Sequence, residues 1–205
     1  MDLSFLLRGL VIGFSIAAPV GPIGVLCIRR TLSEGRISGL LSGLGAATAD
    51  GIYGFIAGFG LTYVSSLLLG YQTWIKLVGG LFLCYLGLKT YLSKPAENPA
   101  WADGQGLWGA YASTFFLTLT NPMTILSFTA VFAGLGIGSA TGDYGSASLL
   151  VLGVFGGSAA WWLILSGGVS VLRSKFTPRA MGWVNNVAGI VILGFGVVAL
   201  LSLRG

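Results

Sequence analysis

Of 205 residues, 55% are hydrophobic and only 8% are charged, a balance that excludes a water-soluble domain, for which roughly 45–50% apolar and about 25% charged residues are usual. The net charge of +5 is spread over several short segments and forms no contiguous basic face, so it calls for no nucleic-acid partner. With no histidine, and with Cys27 and Cys84 outside any ligating motif, a transition-metal site lacks its usual ligands and no cofactor is implied.

Six charge-poor runs follow one another: Leu3–Ile28, Ile37–Tyr63, Trp74–Tyr91, Leu107–Phe132, Ser146–Leu172 and Trp183–Leu203. At a rise of about 1.5 Å per residue, each is long enough to cross most or all of a hydrocarbon core about 30 Å thick. The first is expected to be a retained helix, because Asp2 precedes the first basic residue and Pro19 directly follows the small-residue pair Ala17-Ala18. It is also broken: Ala18-Pro19-Val20-Gly21-Pro22 removes two backbone donors.

The second run carries Asp50, the one acidic residue deep inside any span. A carboxylate is costly in lipid and is a functional candidate there. Gly39, Gly43, Ala46, Ala47, Gly54 and Gly58 recur at helical spacing on its face, so Asp50 is expected to look into the bundle. Tyr53, one turn further, is expected to donate a hydrogen bond to it.

In the fourth run Asn121-Pro122 pairs a favoured N-cap residue with the proline preferred at the first helical position, and so predicts a second helix start within a span. Thr114, Thr118, Asn121 and Thr124 form a polar stripe along it. Free N–H groups at the Gly21-Pro22 and Asn121-Pro122 starts are suited to a carboxylate. The plain alternative is that both prolines only kink helices for packing.

Basic residues set the orientation. Arg29, Arg30, Arg36, Lys89, Lys94, Arg173, Lys175 and Arg179 fall in turns after the first, third and fifth spans, whereas Arg8, Lys76 and Arg204 lie toward the other side. Basic turns stay in the cytoplasm, so both termini are expected outside and the Ser93–Gly106 loop inside.

The chain also resembles itself. Trp74, Val78, Gly80, Gly87, Leu92 and Ser93 recur 109 residues later as Trp183, Val187, Gly189, Gly196, Leu201 and Ser202, while Gly21-Pro22 answers Asn121-Pro122 and Thr48 answers Ser158. With three spans per copy, the second copy enters the membrane from the opposite side. The expected architecture is therefore all-α: one transmembrane domain over 1–205, with six helices as two inverted three-helix repeats, about 1–93 and about 107–205.

Three segments carry a family resemblance: GPIGVLCIRRTLSEGRISGLLSGLGAATAD (Gly21–Asp50), KLVGGLFLCYLGLKTYL (Lys76–Leu92) and LTNPMTILSF (Leu119–Phe128). Together they resemble the LysE/RhtB amino-acid exporter family. That resemblance implies a multi-pass protein of the bacterial inner membrane that exports an amino acid or close derivative in exchange for protons. It points to Gly21, Pro22, Asp50, Asn121 and Pro122 as substrate- and proton-binding residues, to which Tyr53, Thr118 and Thr124 are added from the reading above. Met123 departs from the basic or small residue that many members carry after Asn-Pro, which leaves the substrate unassigned. The lipid bilayer, protons and a small amino-acid solute are the expected partners, and a homo-oligomeric working unit stays open. Two alternatives remain: an inorganic-cation exporter of a related superfamily and a non-transporting membrane scaffold. No catalytic constellation can be assembled without histidine around one buried acid, so an enzyme is not expected.

Overall fold

The computed structural model describes residues 3–19, 21–59, 70–92, 106–135, 144–173 and 177–203, with residues 130–135 and 178 described by their backbone alone. The expected loop residues 93–105 and the end of the second predicted span beyond Phe59 lie outside these. Eight helices occupy the described residues: α1 Ser4–Ala17, α2 Pro22–Ser33, α3 Arg36–Gly58, α4 Gln72–Tyr91, α5 Gly106–Leu119, α6 Pro122–Leu135, α7 Tyr144–Leu172 and α8 Pro178–Leu201. Helices α3, α7 and the Arg179–Leu201 part of α8 are each long and apolar enough to cross a membrane, and α1 with α2, bent by 80°, makes a fourth if counted as one span.

Both breaks fall where the prolines require them. Gly21 has extended backbone (φ −99°, ψ −163°) before Pro22 at the start of α2, and α5 ends at Leu119 ahead of Pro122. Boundaries near basic residues differ from expectation: α8 begins at Pro178, five residues before the sixth predicted span, so Arg179 is helical, and Lys89 lies within α4 and not in a turn. The first predicted span ended at Ile28, but α2 continues to Ser33, so Arg29 and Arg30 are helical residues and not part of a turn. No proline or glycine interrupts the ladder after Gly24, and the helix stops only where Gly35 adopts φ 107°, a conformation that suits glycine.

The seams between helices are built on glycine. A Cβ placed on Gly13 would lie 2.8 Å from the carbonyl carbon of Val154, and Gly9, Gly153 and Gly157 meet backbone atoms of Leu150, Leu6 and Leu10 in the same way. Residue numbers rise together along this seam, so α1 and α7 run parallel. Along α3 and α7 they run oppositely: Gly43 meets Trp162, Gly54 meets Val154 and Gly58 meets Leu150. The small-residue face of α3 thus packs on α7, as its spacing predicts. Helices α3 and α5 are parallel, with Gly45 against Tyr111 and the Tyr53 hydroxyl at Leu119. Helices α4 and α8 are antiparallel: Gly80 meets Leu200, Gly87 meets Leu193, and Gly196 meets Cys84.

These seams enclose two apolar clusters. One gathers Ala46, Ala47, Leu117, Trp162, Leu83 and Ile192; the other gathers Tyr53, Ile125, Phe128, Leu150 and Val154. Along α3, Asp50 falls between Ala47 of the first and Tyr53 of the second.

Candidate functional site

Asp50 is 3% exposed and faces α7, where the Ser158 hydroxyl donates to its Oδ2 at 2.7 Å. Trp162 Nε1 in turn donates to Ser158 Oγ at 3.2 Å. Among the described residues no Lys or Arg nitrogen lies within 4.0 Å of the carboxyl; the one ion pair joins Arg29 to Glu34 at 3.5 Å. A buried carboxyl held by one hydroxyl, with no cation to neutralise it, suits a group that takes up and releases a proton.

Tyr53 does not reach Asp50. Its hydroxyl donates instead to the Leu119 carbonyl at 2.6 Å, on the last turn of α5. The break explains the difference. Pro122 has no N–H for the Thr118 carbonyl, which accepts from Asn121 N at 3.2 Å instead. Met123 N, which a continuous helix would aim at Leu119, bonds Asn121 Oδ1 at 3.1 Å. The Leu119 carbonyl is therefore left over, and the phenol supplies its donor.

The two helix starts are unequal. At α6, Pro122 has no donor, the Asn121 side chain takes Met123 N, and the Asn121 carbonyl takes Thr124 N at 3.1 Å, so the first turn is filled by the chain itself. At α2, Gly21 provides no side-chain cap, and the sequence offers no substitute at that position. Gly21 is half-buried and Pro22 buried. Of the expected pair of carboxylate-binding ends, only the Gly21-Pro22 end keeps uncapped donors.

The polar stripe divides as well. Thr114, Thr118 and Thr124 are buried. Thr118 Oγ1 bonds back to the Thr114 carbonyl at 2.8 Å, and Thr114 Oγ1 to that of Ala110, which settles these hydroxyls on their own helix. A side link joins α5 to α3 two residues before Asp50, where the Tyr111 hydroxyl donates to Thr48 Oγ1 at 2.9 Å.

Arg30 was missed by sequence reasoning, which assigned it to a cytoplasmic turn. It is 4% exposed, and its guanidinium reaches α3 and α5 together: Nη1 donates to Ser42 Oγ at 2.8 Å and to the Ala110 carbonyl at 2.9 Å, and Nη2 to Ser113 Oγ at 2.8 Å. An arginine directly after an apolar run gives the same sequence signal whether it flanks the membrane or turns inward. Only the buried serines at positions 42 and 113, with Thr114, hinted at a partner. Among the described residues no three His, Cys, Asp or Glu side chains gather as a metal site would need.

Comparison with known proteins identifies a family. The LysE type translocator profile matches residues 14–203. The chain is 26% identical over 199 residues, 95% of its length and 94% of the relative's, to a Bacillus subtilis (strain 168) protein provisionally named for amino acid efflux, YcgF. It is 30% identical over 200 residues, 93% of this chain and 94% of the relative, to the arginine exporter protein ArgO of Pectobacterium carotovorum subsp. carotovorum (strain PC1). It is 24% identical over 192 residues, 89% and 90% of the two chains, to the threonine efflux protein of Escherichia coli (strain K12). No solved structure matches it. A profile match over nearly the whole chain, on a bundle of apolar helices sealed by glycine seams, means that this protein belongs to the LysE type translocator family: it is a multi-pass membrane transporter and not an enzyme.

Proposed function

We propose that the protein is a six-span secondary exporter of amino acids or close derivatives in the bacterial inner membrane, built from two inverted three-helix repeats and driven by proton exchange at Asp50. Efflux and export in the names of its relatives support the direction and the solute class. Helix directions support the repeats. A two-fold axis in the membrane plane makes equivalent helices antiparallel, as α3 is to α7 and α4 to α8, and makes the α1–α7 seam equivalent to the α3–α5 seam, both parallel. Equivalent residues also share surroundings: Trp74 and Trp183 are 64% and 70% exposed, while Gly80 and Gly189 both lie against the partner helix in the α4–α8 seam.

One observation carries the coupling: Asp50 is buried, bonded to a neutral hydroxyl and has no cation partner among the described residues. Alternating exposure of this carboxyl to the two sides lets it take up a proton on one and release it on the other, so each cycle exchanges proton for solute. Asp50→Asn keeps shape and hydrogen-bonding capacity but cannot carry a proton. Efflux from preloaded proteoliposomes, with and without an imposed pH gradient and normalised to inserted protein, should lose its pH-driven component. Undiminished pH-driven export would leave Asp50 a packing residue.

A further inference from the structure

Among the described residues, Arg30 and Asp50 are buried charges of opposite sign that do not pair. Asp50 is met by Ser158, and Arg30 by Ser42, Ser113, Thr114 and the Ala110 carbonyl. Glu34, four residues beyond Arg30, pairs with Arg29 instead. A structural role would favour joining the two charges or replacing them with apolar side chains of similar volume, since an uncompensated buried charge is the costly case. Glu34 acts on Arg30 only from a distance, while the atoms that contact the guanidinium are neutral oxygens, so among the described residues no carboxylate meets it directly.

The geometry points to Arg30, with Ser42 and Ser113, as the subsite that takes the carboxylate of the transported solute, a deeper reading of the export function proposed above. A guanidinium binds a carboxylate through two parallel N–H donors, a stronger interaction than the hydroxyl bonds it would replace. The two serine hydroxyls stay within reach as further donors. Distance separates this subsite from the proton carrier: Ser42 and Asp50 are eight residues apart on α3, roughly 12 Å along a helix. The carboxylate and ammonium groups of one α-carbon cannot span that, so Asp50 is left to the proton while Arg30 selects for the acid.

Helix α2 starts at Pro22, separate from α1, and ends ahead of Gly35 at φ 107°, so the segment carrying Arg30 is a short helix of its own.

The test is counterflow in proteoliposomes of the full chain, using labelled L-threonine and L-arginine, with each amino acid and its primary carboxamide as competitor. Wild-type protein should prefer acid over amide by about tenfold or more, the scale of one charge-assisted hydrogen-bond pair. Arg30→Gln should bring that ratio near one, and Arg30→Lys should retain part of it. A purely structural arginine would change the amount of folded protein and leave the ratio alone. Counterflow that keeps its acid preference in Arg30→Gln overturns this assignment but not the exporter, whereas wild-type protein that exchanges no amino acid overturns both. If Arg30→Gln does not insert, Ser42→Ala with Ser113→Ala decides. That variant keeps the guanidinium, removes both serines as acceptors and as donors, and should shift the acid-to-amide ratio; an unchanged ratio rejects the subsite.

Discussion

Replacing Tyr53 by Phe separates two roles that sequence spacing merges. The phenol sits three residues from Asp50, yet its hydroxyl bonds the Leu119 carbonyl at 2.6 Å, which no backbone donor serves because Met123 N is held by Asn121 Oδ1. Removing the hydroxyl leaves a buried acceptor without a partner, a loss of about 1–3 kcal/mol. At roughly 2–4 °C per kcal/mol for a chain of this size, melting in detergent should fall by about 2–12 °C. The pH dependence of export should stay where it was. A cycle sharpens the test: Asn121→Ala frees Met123 N to turn toward Leu119, so Tyr53→Phe should cost less in that background than alone. Unchanged melting together with a displaced pH profile would refute this reasoning and return Tyr53 to Asp50.

Gly13→Ala should destabilise the α1–α7 seam by about 1–3 kcal/mol, because its Cβ would meet the Val154 backbone at 2.8–2.9 Å. Gly194→Ala, with nothing within 4 Å of its Cβ, should be neutral or stabilising; equal melting of the two would count against the seam. The Cys27→Ser, Cys84→Ser double variant should keep efflux, since both thiols are free; loss of transport in folded protein would give the thiols a part in the transport chemistry. Reporter fusions after Arg36, at Glu97 and after Lys175 should report cytoplasm and those at Gly70 and Asp143 the outside, and any split among the first three would break the six-span reading.

What the sequence made legible was backbone chemistry. Pro22 and Pro122 end a hydrogen-bond ladder wherever they stand, so both helix starts could be located from their letters alone. The glycines of α3 declared its seam for a similar reason, since only small residues allow backbones to approach so closely, whereas those of α4 and α8 were legible only as a repeat. Side-chain partnership was less accessible. Tyr53 is correctly spaced to reach Asp50, but the break at Asn121 creates a carbonyl with a stronger need. Arg30 is surrounded by oxygens from positions 42, 110, 113 and 114, which meet only once α2, α3 and α5 have taken their register. Periodicity within one helix holds no information about that convergence.

In the six-span arrangement proposed above, the outward-facing tryptophans near the starts of α4 and α8 would act as a gauge of membrane thickness. From Trp74 to Leu92 and from Trp183 to Leu201 each helix advances eighteen residues, about 27 Å of rise. Because the two helices are antiparallel, the proposed six-span arrangement would set one aromatic ring at each leaflet's boundary, over stretches of the same length. A bilayer much thicker than this leaves neither helix spare length to absorb the difference by tilting, so the lipid has to thin around the α4–α8 pair. Turnover in vesicles of graded acyl-chain length is therefore expected to peak in the thinner ones, with the lipid itself setting part of the rate.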